Sequence, residues 1–294
     1  MTSAYCPAHI TCFFKPSESF RNILERGSEG VGIRLGAGSI VHVDEIKGRT
    51  KVIIDGKEDE AKITRHVLGH MASGRTFEVN VECRVPPGQG FGMSASGAVA
   101  AALCLAEMTG KSRREAFEAA HAADAICGGG LGDVSGLMHE GDVPIRIKAG
   151  LPPVGRVYDM KLSFETMTVV VLGDKLSTAG VLGNAGKLRS ISEAGGTAML
   201  EFRTNDMTKN DSDAVKRSLF EISNKFSAEA NVRGQAVDAA IELLKKNGIR
   251  SAMCMLGNSI FTDAPEKEVR EVLGEGKIFS TSSTNEPAHI IQRV

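Results

Sequence analysis

The clearest alternation of apolar and polar positions is TFEVNVECR, where Phe77, Val79, Val81 and Cys83 alternate with Glu78, Asn80, Glu82 and Arg84. A period of two predicts a half-buried strand. The pattern then changes. From about Ser94 to Met108 small and apolar helix formers run almost without a break, and TGKS ends them. That stretch predicts a helix. Ser112 and Glu115 form a capping-box pattern that opens a second helix, which runs to about Ile126 and is broken by CGGGLGD. Strands are predicted at Val143–Lys148, Arg156–Met160 and Met167–Leu172, with AGLPPVG turning between the first two. Helical patterns follow near Leu176–Leu188, Asp213–Phe226 and Gln235–Asn247. SAMCML reads as a strand, Pro265 as the first residue of a helix, and KIFST and HIIQRV as final strands. His66 and His70 in HVLGH have the spacing of a zinc helix but lack its glutamate, and read as an ordinary helix face. Strands and helices mix without strict alternation, so an α+β class is expected, with a boundary near 160–165 that divides the chain into 1–162 and 163–294.

Charge narrows the partners. Among 294 residues, 35 Lys and Arg stand against 36 Asp and Glu, for a net charge of −1. No global field draws in nucleic acid or an anionic membrane, so any bound anion must be caught by a local site. No apolar run approaches the roughly 20 residues that span a bilayer. The six cysteines form no CxxC pair, and the first ten residues lack a basic and then apolar leader. Both features suggest a cytoplasmic protein with reduced thiols.

Residues 86–96, PPGQGFGMSAS, carry the candidate chemistry. Glycines at alternate positions precede a helix N-terminus, whose free N–H groups and positive dipole end favour an anion. Glycine lets that backbone approach a phosphate closely. No Lys follows the glycines as a Walker A loop requires. A dinucleotide reading from Gly90 to Ala95 fits only the looser GxGxxA form and lacks the acid expected about 20 residues on. From these residues alone, a phosphate cradle, a dinucleotide turn and a plain glycine turn all remain open.

The stretch Pro86 to Ser96 resembles the phosphate loop of the GHMP kinases, PxGxGLGSSAA. YCPAHITCFF and SAMCMLGNSIF resemble that superfamily's first and third motifs, in order. The combination of PAHIT, GGGLGDVSG and MLGNSIF is most similar to the archaeal pantoate kinases. The resemblance spans nearly the whole chain. It implies a domain like part of ribosomal protein S5, followed by a ferredoxin-like domain, with ATP and Mg²⁺ bound in a cleft between them. The implied reaction is phosphate transfer from ATP to the 4-hydroxyl of (R)-pantoate, giving (R)-4-phosphopantoate on the archaeal route to coenzyme A. Homoserine or mevalonate is the alternative acceptor. An NAD(P)-dependent oxidoreductase and a catalytically silent binding protein are the rivals outside the kinases, and a homodimer stays open.

The same resemblance assigns the site. Pro87, Gly88, Gln89, Gly90, Phe91, Gly92, Met93, Ser94, Ala95 and Ser96 would hold the nucleotide. Ser94 and Asp124 match the metal ligands, and Asp133 the candidate base. His121 lies three residues before Asp124, on the same helical face. Arg146, a charge inside the apolar strand VPIRIK, suits the acceptor's carboxylate. Ser28 and Thr178 would add hydroxyls to that pocket. His9 and Thr11 would line its floor from the first strand, outside the catalytic set. Three departures stand out. Met93 replaces the first serine of GSS, His9 stands where mevalonate kinases carry a lysine, and the third motif lacks its glycine run. A lysine-assisted mechanism therefore does not carry over.

Overall fold

The computed structural model describes residues 1–17, 21–176, 178–205 and 211–291. It opens with two long antiparallel strands, β1 (Thr2–Pro16) and β2 (Ser28–Glu45). Then come β3 (Lys51–Ile54), β4 (Lys57–Glu58), α1 (Lys62–Met71), β5 (Phe77–Cys83), α2 (Met93–Thr109), α3 (Arg113–Ile126), α4 (Asp133–Met138), β6 (Val143–Lys148) and β7 (Arg156–Met160). The remainder is β8 (Met167–Val171), α5 (Thr178–Leu182), α6 (Ala185–Asn205), α7 (Ser212–Glu229), α8 (Gln235–Lys246), β9 (Ser251–Met253), β10 (Ser259–Thr262), α9 (Glu266–Leu273), β11 (Lys277–Thr281) and β12 (His289–Ile290).

Two sheets result. The larger runs β12-β1-β2-β5-β3-β4, with β6 and β7 attached through β2. The smaller runs β11-β8-β10-β9, wholly antiparallel. Numbered within its own segment, that order is 4-1-3-2, the ferredoxin-like arrangement. After the small sheet is complete, β12 returns to pair with β1. The strand that feeds the glycine loop, β5, has one antiparallel neighbour, β2, and one parallel neighbour, β3. Among the described residues no doubly wound parallel sheet forms, which removes the dinucleotide reading.

The predicted strands at 143–148 and 156–160 and the capped helix α3 stand at their expected places, and the capping box of Ser112 and Glu115 is formed in both directions. α2 is buried from Ala95 to Ala106, as an apolar all-round helix must be. The expected helix at 176–188 is instead α5 and α6, because the Asn184 side chain accepts from the Lys187 N–H at 3.0 Å and starts a new helix. α6 continues through Gly195, where a Cβ would overlap the Phe14 carbonyl, so glycine there serves close packing and does not end the helix. α6 and α7 thereby seat Phe202 and Phe226 edge-on against Phe13 and Phe14 of β1. Pro265 is the N-cap of α9, one position earlier than expected. The predicted final strand is limited to His289–Ile290, and residues 292–294 lie outside the described residues. Among the described residues no helix is long and apolar enough to cross a membrane.

Candidate active site

The glycine loop joins β5 to α2. Gly88, Gly90 and Gly92 take φ values of 79°, 78° and 62°, a left-handed region that favours glycine. A Cβ on Gly90 would stand 2.6 Å from the Cys254 carbonyl oxygen, and one on Gly92 2.7 Å from that of His9. These two glycines are therefore needed for the loop to lie on β1 and on the turn after β9. At Gly88 a Cβ would meet only the Lys175 stem, at 3.0 Å. The His9 N–H donates to the Phe91 carbonyl at 3.0 Å, and the Leu176 N–H to that of Gly88 at 3.2 Å. Buried Gln89 donates from Nε2 to the Gly173 carbonyl at 3.0 Å. Gly92 caps α2 and no side chain does so. The first-turn amides of α2 thus lack side-chain acceptors, and Met93, Ser94 and Ala95 line a cavity with Gly88 and Gly90.

Two carboxylates line the same cavity. Asp124 sits in the last turn of α3 and Asp133 at the first position of α4. The glycines between them clear the space. A Cβ on Gly129 would overlap the Asp124 carboxylate, and one on Gly130 that of Asp133. Asp124 is 3% exposed and its Oδ1 has no hydrogen-bond partner among the described residues. Burial, and then the neighbouring Asp133, push its carboxyl well above the usual range, while a hydrogen bond from Gly130 pulls the other way. A buried carboxylate with an orphaned oxygen fits a cation. Exposed Ser94 lines the same cavity. Hard oxygen donors of this kind suit Mg²⁺, which usually takes one or two carboxylates and completes its shell with phosphates and water. In keeping with so sparse a protein contribution, the described residues contain no cluster of three or more His, Cys, Asp and Glu able to hold a metal.

Ser28, Gly88, Gly90, Phe91, Gly92, Met93, Ser94, Ala95, Asp124, Asp133 and Thr178 come together around this one cavity. Other expected site residues stand apart from it. Ser96 is fully buried and turned to the sheet, where its Oγ donates to the Cys6 carbonyl at 2.8 Å and lies 3.0 Å from Ser39 Oγ. Its side chain fastens α2 to β1 and β2 and does not face the cavity. His121 is also buried, and its Nε2 lies 3.2 Å from the Ile23 carbonyl. It pins the segment before β2, and burial pushes its pKa down. Pro87 lines a second cavity, which adjoins the first at Gly88, Met93 and Ser94 and is walled by Ile54, Ile63 and Val81. Arg146, 1% exposed, lies directly behind Gly132. A Cβ on Gly132 would overlap the guanidinium and stand 2.7 Å from Ser28 Oγ. Its Nε and one terminal nitrogen have no partner among the described residues, and burial lowers its pKa to about 10.

Two further residues belong to the site's geometry: His9, expected only as part of the floor, and Lys175, which was not expected at all. His9 is fully buried, with Nδ1 2.7 Å from Asp133 Oδ1 and Nε2 3.4 Å from an Arg146 nitrogen. The PAHIT motif held that signal. Lys175 lies over Gly88 at the edge of a cavity whose own lining includes no Lys, Arg or His among the described residues. Nothing local in the sequence marks it, because the contact joins residues 87 positions apart.

A family model described as GHMP kinases N terminal domain matches residues 61–141. The pantoate kinase of Thermococcus kodakarensis is 31% identical over 280 residues, covering 91% of this chain and 89% of that protein. That of Methanocaldococcus jannaschii is 26% identical over 272 residues, covering 92% and 95%. A solved structure described as a phosphotransferase related to the CoA biosynthesis pathway matches with a TM-score of 0.83 at 27% identity, over 98% of both chains. The α+β architecture is that of a GHMP kinase, a phosphotransferase acting on a small molecule, and the chain belongs to the pantoate kinase family.

Proposed function

We propose that the protein phosphorylates the 4-hydroxyl of (R)-pantoate with ATP, giving (R)-4-phosphopantoate on a route to coenzyme A. The observation that carries this reading is one cavity lined both by the first turn of a helix that no side chain caps, behind left-handed glycines, and by two carboxylates. Phosphoryl transfer needs little else than charge neutralisation and a positioned hydroxyl. The family supplies the acceptor.

In this reading the backbone of Gly88 to Gly92 and the first turn of α2 hold the terminal phosphates. Pro87 and Gln89 shape the loop, and the cavity beside Pro87, lined in part by Ile54, Ile63 and Val81, receives the base. Ser94 and Asp124 hold Mg²⁺, which when bound neutralises phosphate charge. Lys175, reaching over Gly88, adds a cation that the cavity wall lacks. Asp133 accepts the proton of the attacking hydroxyl. Arg146 meets the acceptor's carboxylate past Gly132, with Ser28 and Thr178 as hydroxyl partners, and His121 holds the neighbouring segment in place. The cleft then lies between units of residues 1–162 and 163–294. A screen of ATP-dependent ADP release over pantoate, pantothenate, mevalonate and homoserine tests the acceptor. Pantoate should give the highest kcat/KM, and a higher value for any other acceptor overturns the proposal.

A further inference from the structure

One residue connects the three working parts of the cavity. The backbone N–H of His9 donates to Phe91 in the glycine loop. One ring nitrogen meets Asp133 and the other meets Arg146. The ring is held in a slot between two backbones. A Cβ on Gly32 of β2 would overlap Nε2, and one on Gly136 of α4 would stand 2.6 Å from it. A side chain at either glycine would collide with the ring, so both clear the space it occupies. Burial pushes the pKa of His9 down, against the pull of Asp133, which favours the neutral ring. A neutral imidazole has one donor and one acceptor. Arg146 can only donate, so Nε2 is the acceptor. The proton is then on Nδ1, where it donates to the Asp133 carboxylate.

We propose that His9 is a positioning residue that joins the group accepting the substrate's proton to the group meeting its carboxylate. This rests on the roles given above to Asp133 and Arg146. The Nδ1–H bond fixes the carboxylate's rotation, as a third group fixes the base in other catalytic arrays. The Nε2 acceptor holds the guanidinium at the back of the pocket. Both distances from the transferred phosphate are anchored to the same residue that carries the loop. A hydroxy acid whose carboxylate and hydroxyl match that fixed span is bound productively, and a longer or shorter one is not.

Amide side chains separate the two ring functions. The Asn amide falls near Nδ1 and the Gln amide near Nε2. His9→Ala should lose both contacts. His9→Asn should recover kcat relative to His9→Ala while the pantoate KM stays raised. His9→Gln should recover the pantoate KM while kcat stays low. Each unrecovered parameter should differ from wild type by about 10- to 150-fold, the size of one charge-assisted hydrogen bond. Melting temperatures of the three variants control for folding. If kcat and KM move together in all three and follow the melting temperature, His9 is merely structural and the proposal fails. ¹⁵N NMR of histidine-labelled wild type, with His9→Asn giving the assignment, supplies a readout independent of turnover. A protonated Nδ1 is expected, and a protonated Nε2 overturns the proposal. Wild type inactive on pantoate would instead refute the reading of the function, whatever the tautomer.

Discussion

Asp124→Asn should stabilise the metal-free protein. The carboxylate is buried, its Oδ1 lacks a partner and Asp133 is a second negative group beside it. An asparagine keeps an acceptor for the Gly130 N–H and removes the buried negative charge beside Asp133, leaving a neutral amide where the orphaned oxygen stood. A buried polar group without a partner costs about 1–3 kcal/mol. At about 2–4 °C per kcal/mol for a large domain, the midpoint of metal-free thermal unfolding should rise by at least ~2 °C. The same substitution should abolish the further rise that Mg²⁺ with a non-hydrolysable ATP analogue gives to wild type, because binding to the folded state is what produces it. The assay is a pair of melting curves, each with and without metal and nucleotide, together with kcat, which should fall sharply. A metal-free variant less stable than wild type would refute the reasoning. The protein itself, and not a bound cation, would then be stabilising the Asp124 charge.

Arg146→Met removes the guanidinium but keeps much of its stem. The pantoate KM should rise about 10- to 150-fold with the ATP KM little changed, and an unchanged pantoate KM takes Arg146 out of the site. Lys175→Met should weaken ATP binding about tenfold by calorimetry, the low end for a charge-assisted contact. Equal affinity in a folded variant would leave Lys175 as surface. Burial holds the pKa of His121 below its usual value, so the unfolded chain takes up that proton first as pH falls. Its stability contribution is therefore full above the ordinary imidazole value of about 6.5 and is lost as pH falls below it. His121→Gln, which keeps a donor for Ile23, should flatten the melting-temperature profile over that interval. An unchanged slope would show that His121 is already protonated in the fold.

Local signals were legible and long-range ones were not. The glycine loop, the helix after it and the Ser112–Glu115 capping box each depend on neighbours in sequence, and each stands where the pattern put it. β1 escapes alternation because 13 of its 15 residues are buried, leaving no polar face to mark a period of two. The helical pattern at Leu176–Leu188 stops short of Asn205, and α6 continues through Gly195, where glycine lets Phe14 approach. Around the site, Asp124 and Asp133 were visible by motif. Ser96 was placed on the nucleotide by the same motif, but its hydroxyl is used between α2 and the two long strands. Arg146 was visible as a charge out of place. Its partner was not, because His9 reaches it across 137 residues. The glycines of GGGLGDVSG were read as flexibility. Their measurable role is clearance, for Asp124, Asp133, Arg146 and His9 in turn.

The central claim is that ATP's terminal phosphate reaches the 4-hydroxyl of pantoate in the cavity between the glycine loop and Asp133. The most direct measurement is ³¹P NMR of a reaction containing the protein, ATP, Mg²⁺ and (R)-pantoate. A new phosphomonoester signal is expected, coupled to the two protons on carbon 4, growing in step with ADP and absent with Asp133→Asn over the same interval. ADP without an ester, an ester on the 2-hydroxyl, or the same signal at wild-type rate from Asp133→Asn would contradict it.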